Sequence, residues 1–148
     1  MRIETEIDNS LTEAEIHIRA ASDDPQVAKI QALLNAAFTQ KLTCYQGSRE
    51  YFIPLTDILF IETDARTLQV HTTDNSYTHK ASLHETIALL PPFFLQISKS
   101  TVVNLNQVSV VTRAITNCLV EFHDSYKQAY ASRRYYKILL TALQEMRS

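Results

Sequence analysis

The chain has 148 residues, room for one domain or one domain plus a small appendage, with an ordinary hydrophobic share of 45%. Its net charge of −2 hides a gradient: residues 1–40 hold three bases against seven acids, and residues 93–148 hold seven bases against three acids. Gly47 is the only glycine, which excludes the glycine-rich dinucleotide fingerprints, P-loops and nucleophile elbows that need several.

Taken in order, residues 1–8 are charged and alternating, so no secretory signal is expected. Residues 2–7 and 15–19 alternate polar and apolar and predict two half-buried strands about a turn at Asn9 and Ser10. Asp24 reads as an N-cap with Pro25 in the first helical position, and Val27, Ile30, Leu34, Ala37 and Phe38 follow at helical spacing. Residues 42–46 return to a strand that Gly47 and Ser48 break. Residues 1–47 thus predict a small acidic β-β-α-β unit, a dimerisation or regulatory surface, and residues 48–148 a second unit.

That second unit is mostly β. Strands are expected over residues 51–54, 58–63, 68–72 and 76–80, with turns at 64–67 and 74–75. Ser82 and Glu85 fit a capping box that opens a short helix ending before Pro91. Further strands follow at 94–97, 102–103, 108–115 and 118–122. A last helix begins at Ser132, with Tyr135, Leu139, Ala142, Leu143 and Met146 on one face. The fold class is α+β and β-rich. Residues 87–97 form the longest apolar run, too short for a bilayer and broken by Pro91 and Pro92.

Two widely spaced cysteines, Cys44 and Cys118, suit a reducing cytoplasm. The five histidines show no ligand spacing, so neither a zinc site nor any cofactor is expected. No local nucleophile or acid–base motif stands out, and the expectation is a protein that is not an enzyme and has no small-molecule substrate.

Two stretches do stand out. Residues 94–104 (Phe-Leu-Gln-Ile-Ser-Lys-Ser-Thr-Val-Val-Asn) place Ser98, Lys99 and Ser100 between apolar anchors. A lysine head gains nothing from burial without a partner, so the triplet belongs on an exposed, rigidly held turn. Residues 130–136 (Tyr-Ala-Ser-Arg-Arg-Tyr-Tyr) carry Ser132 into a helix that starts with two arginines. Basic, hydroxyl-rich turns on stiff supports suit phosphates and base edges.

Residues 96–104 and 131–135 resemble the two signature segments of the LytTR DNA-binding domain, and residues 58–64 (Ile-Leu-Phe-Ile-Glu-Thr-Asp) resemble its opening strand. The resemblance spans about residues 50–147 and is specific, because three segments fall in the family's order. It implies an elongated β fold with a C-terminal helix, and a cytoplasmic, sequence-specific transcriptional regulator that reads the major groove of double-stranded DNA through loops. Arg134, Lys99 and Arg66 are then the residues for base edges, where an arginine fork is worth ~1–3 kcal/mol of discrimination against a wrong base. Without the resemblance Arg134 would read as a solvated surface base.

Ser98, Ser100, Arg133 and Lys137, with Lys127 as a further candidate, are the residues for the DNA backbone. The plain alternative for the serines is a side chain that caps its own turn. Gln96 replaces an arginine frequent in the family, one positive charge fewer. Asn104 reads as structural. The resemblance also implies a homodimer on repeated sites, a standalone regulator too short for a receiver domain, and a membrane-bound protein as a regulatory partner of the acidic leader. The competing reading is a protein-interaction module without DNA binding.

Overall fold

Residues 101–104 (Thr-Val-Val-Asn) are buried at all four positions, and the molecule is built outward from them. The computed structural model describes residues 2–21 and 24–147, with only the backbone for 36–39 and 147. In chain order its elements are α1 (Pro25–Thr39), β1 (Lys41–Gln46), β2 (Arg49–Pro54), β3 (Phe60–Asp64), β4 (Thr67–His71), β5 (Ser76–His79), α2 (Leu83–Leu89), β6 (Phe94–Ser98), β7 (Thr101–Asn104), β8 (Val108–Arg113), β9 (Asn117–Phe122), β10 (Gln128–Ser132) and α3 (Arg133–Arg147). Single 3-10 turns precede β3 (Leu55–Asp57) and β8 (Leu105–Gln107). The chain is β-rich, as its alternation predicts.

Seven strands form one sheet in the order β2-β1-β5-β4-β3-β7-β6, and three form a second in the order β10-β9-β8. The pleat sorts neighbouring side chains to opposite faces. Ile61, Leu68, Val70 and Val102 face one core with Leu83 of α2. Phe60, Ile97 and Val103 face another, with Cys118, Val120 and Ala131 of the small sheet and Leu139 of α3. Asn104 closes the frame: its side-chain amide donates to the Ile58 carbonyl at 2.9 Å, and its Oδ1 accepts from the Asn106 N–H at 3.0 Å. The structural reading of this residue holds.

The helix starts follow their capping signals. Asp24 Oδ1 accepts from the Gln26 N–H at 2.9 Å ahead of α1, and Ser82 Oγ accepts from the Glu85 N–H at 3.1 Å in α2. Of the expected α1 stripe, Val27, Ile30 and Leu34 are half-buried, while the side chains of Ala37 and Phe38 lie outside the described residues. On α3 it is Tyr136, Ala142 and Leu143 that pack on the core around Leu139, and Met146 is exposed.

Three expectations are corrected. The strands expected at residues 2–7 and 15–19 are not formed. The turn between them exists, with the Leu11 N–H donating to the Asp8 carbonyl at 3.2 Å and the Ser10 N–H to Asp8 Oδ1 at 2.9 Å. A two-residue loop there would set Glu4 opposite Glu15 and Glu6 opposite Glu13, and like charges across a ladder destabilise it. Ile3 and Ile7, 87% and 85% exposed, find no face to pack on, so the isolated hairpin has nothing to hold it. Second, residues 41–46 do not stop at a separate unit: β1 pairs along its length with β2 and through Tyr45 with Thr78 of β5. Third, residues 128–132, read only as a polar segment before the last helix, form β10 on β9, and the helix follows at Arg133.

Candidate nucleic-acid interface

The β3–β4 connection is a two-residue turn, since Asp64 pairs with Thr67 and leaves Ala65 and Arg66 at the tip. Ala65 has φ +56°, a conformation that favours glycine, and Arg66 beside it is exposed. The β6–β7 connection is equally tight. Gln96 pairs with Val102 and Ser98 with Thr101, so Ile97 is an inserted bulge residue and Lys99–Ser100 form the tip. Ile97 is fully buried, which anchors the bulge in the core while Lys99 projects to solvent. Ser98 Oγ accepts from the Ser100 N–H at 3.2 Å and lies 3.4 Å from Ser100 Oγ, so these hydroxyls do shape the turn.

These two tips stand side by side. β3 and β7 are antiparallel neighbours with Glu62 opposite Thr101, which puts the end of β3 next to the start of β7. The Thr63 N–H donates to the Ser100 carbonyl at 2.9 Å just below both tips.

The third tip is delivered from the other end of the molecule. β4 runs away from Arg66, so the β4–β5 turn lies at the far end of the large sheet. There Ser125 Oγ–H donates to the Thr73 carbonyl at 2.8 Å, and Lys127 Nζ donates to the Asn75 carbonyl and, at 3.2 Å, to Ser76 Oγ. From that clamp the five residues of β10 run about 16 Å at strand rise to Ser132, where Arg133 and Arg134 begin α3. β10 and α3 both pack on β6, which fixes this junction to the strand that leads to Lys99.

Arg66, Lys99, Arg133, Arg134 and Lys137 are all exposed, and among the described residues none of them forms an ion pair. Arg134 lies 5.9 Å from the Tyr135 ring, on a helix whose first turn is free of acids. Lys127 is corrected: half-buried and committed to the clamp, it is a structural cation at the opposite end of the large sheet from Arg66 and Lys99. Its partners, the Asn75 carbonyl and the Ser76 hydroxyl, lie 52 and 51 positions away in the chain, a pairing that local pattern cannot reveal. Two basic residues that the pattern did not single out stand at the tip end. Lys80 directly follows β5, beside the start of β4, and Arg113 closes β8 opposite Cys118.

The clamp encloses His71. Its ring stacks on Phe60 at 4.2 Å between centroids, with Nε2 2.9 Å from Glu62 Oε1 and Nδ1 3.3 Å from Lys127 Nζ. Burial, reinforced by the Lys127 charge, holds the imidazole below its ordinary value against the opposing pull of Glu62. A ring nitrogen facing an ammonium must accept, so Nε2 carries the proton and Glu62 accepts from a neutral ring. Burial also pushes Cys44 up to about 11 and raises Cys118, which leaves both thiols poor nucleophiles. Among the described residues no cluster of three or more metal-ligating side chains occurs.

Comparisons with known proteins bear on the family and the fold. A family model described as the LytTr DNA-binding domain matches residues 48–144. Among solved structures, the LytTr DNA-binding domain of a protein described as a methyl-accepting/DNA response regulator from Bacillus cereus is similar, with a TM-score of 0.62 and 21% identity. That match covers 69% of this chain and 97% of that one, and at this identity it shows the fold. No curated protein matches the sequence.

Proposed function

The chain belongs to the LytTR family of DNA-binding domains, and from that premise we propose that it is a sequence-specific transcriptional regulator that reads the major groove through the loops of a β scaffold. Arg66, Lys99 and Arg134 reach base edges, and Ser98, Ser100, Arg133 and Lys137 hold the phosphates. The observation that supports this reading is the strand register, which sets the exposed Arg66 and Lys99 tips side by side at one end of the large sheet, with Arg134 exposed at the start of α3 and none of the three in an ion pair among the described residues. The overall charge of −2 does not oppose it, because residues 93–148 hold seven bases against three acids.

Residues 2–21 take the second part of the proposal. Their exposed Ile3, Ile7 and Ile16 and their glutamates form a surface for a second copy of the chain or for a membrane-bound regulator. An apolar groove of about 510 Å³ between Leu33 of α1, Leu89 at the end of α2 and Pro91 lies open and would serve the same purpose. Among the described residues no helix is long and apolar enough to cross a membrane, and the proposed place of action is the cytoplasm. Selection of duplexes from a random pool by the full chain tests the reading: it predicts one enriched motif, repeated if the homodimer forms. A pool that stays random contradicts it.

A further inference from the structure

The β8–β9 hairpin carries the most exposed large hydrophobic residue of the described chain. Ile115 is 91% exposed at a tip made with Thr116, closed by the Ala114 N–H donating to the Asn117 carbonyl at 2.9 Å. Turn tips favour Gly, Asn, Asp or Ser, whose side chains or backbones suit the bend. An isoleucine there supports neither the bend nor the core.

The hairpin is nonetheless held firmly, and next to the proposed reading head. Asn117 pairs with Ser132, the residue before Arg133 and Arg134, so the hairpin tip and the β10–α3 junction share one end of the small sheet. Arg113, at the base of the hairpin, lies 4.8 Å from the Tyr136 ring on α3. Cys118 and Val120 behind the tip are buried. Ile115 therefore keeps a fixed position relative to Arg134, and it presents a branched apolar side chain where its neighbours present charge.

We propose that the β8–β9 tip is a fourth DNA-contacting element, in which Ile115 packs on a thymine 5-methyl group beside the base pair read by Arg134. The inference rests on the DNA-binding reading above. In the major groove the thymine methyl is the one apolar feature that separates base pairs, and an aliphatic side chain is its natural partner. Arg113, held on Tyr136, is placed to meet the adjacent phosphate.

The test uses the full chain on the duplex that it enriches, with each thymine replaced in turn by uracil, which lacks only the methyl. At one or two thymines flanking the Arg134 base pair the replacement weakens wild type roughly fourfold, the worth of one buried methyl. Ile115→Ala binds more weakly on the parent duplex and is insensitive to uracil at those same positions. If wild type binds its duplex and uracil acts equally on wild type and Ile115→Ala at every position, the thymine contact is wrong while the DNA-binding reading stands. If wild type enriches no duplex, the DNA-binding reading falls and this inference falls with it.

Discussion

The Thr63 N–H donates to the Ser100 carbonyl at 2.9 Å, joining the two hairpins that carry Arg66 and Lys99 immediately beneath their tips. This bond makes the spacing between the two cations a property of the sheet, because neither turn can tilt without breaking a ladder contact. A duplex would meet them as one rigid pair, with Arg134 placed separately by β10.

Arg134→Ala is expected to lower affinity for the enriched duplex by ~1–3 kcal/mol, with a much smaller loss on random duplex. The side chain is exposed and its contact to Tyr135 is long, so the thermal midpoint should stay put. Fluorescence anisotropy on both duplexes beside a thermal melt checks this. Equal losses on both would make Arg134 a phosphate contact instead.

Ala65→Gly probes the neighbouring turn. Holding alanine at φ +56° costs roughly 1 kcal/mol, partly offset in the variant by the greater freedom of unfolded glycine. A net stabilisation of roughly 0.5 kcal/mol in urea denaturation is expected. A loss of stability would mean that the alanine methyl makes a contact worth more than the strain.

Much of this was legible in the sequence, and the misses have physical causes. The Ser98–Ser100 turn announced itself because Ile97 and Val102 pin it from both sides, and the α2 start because Ser82 and Glu85 are a local pair. β10 was hidden because its buried positions are Ala129 and Ala131, too small to register as an apolar alternation. Residues 2–19 gave a clean alternation and no strands, since period two marks a capacity to pair and says nothing of the sheet that must receive it. The role of Lys127 depends on Thr73–Ser76, which only the fold brings near.

The clamp around His71 predicts a pH dependence. Folding holds this imidazole below its ordinary value of 6.5, chiefly by burial. As pH falls below 6.5 the unfolded chain takes up a proton that the folded one resists, so stability declines on the acid side and is flat in this group above it. Urea midpoints between pH 7 and pH 5 should fall further for wild type than for His71→Gln, which keeps a polar side chain but cannot titrate. An equal fall in both would remove His71 as the cause.

Val103→Asp should abolish the cooperative fold. Val103 is fully buried between the two sheets, and a carboxylate there would have no partner. Circular dichroism should show loss of the native transition. A folded variant would mean that the seam between the sheets admits water.

The central claim, that separate cationic tips engage one duplex together, is tested most directly by titrating wild type and the Arg66→Ala, Lys99→Ala, Arg133→Ala, Arg134→Ala quadruple variant onto the enriched duplex across a range of salt. Wild-type affinity should fall linearly on logarithmic axes with a slope of about −0.9 for each phosphate neutralised, and the variant should show a shallower slope and much weaker binding. Undetectable wild-type binding, or slopes that are flat or the same for both proteins, would contradict it.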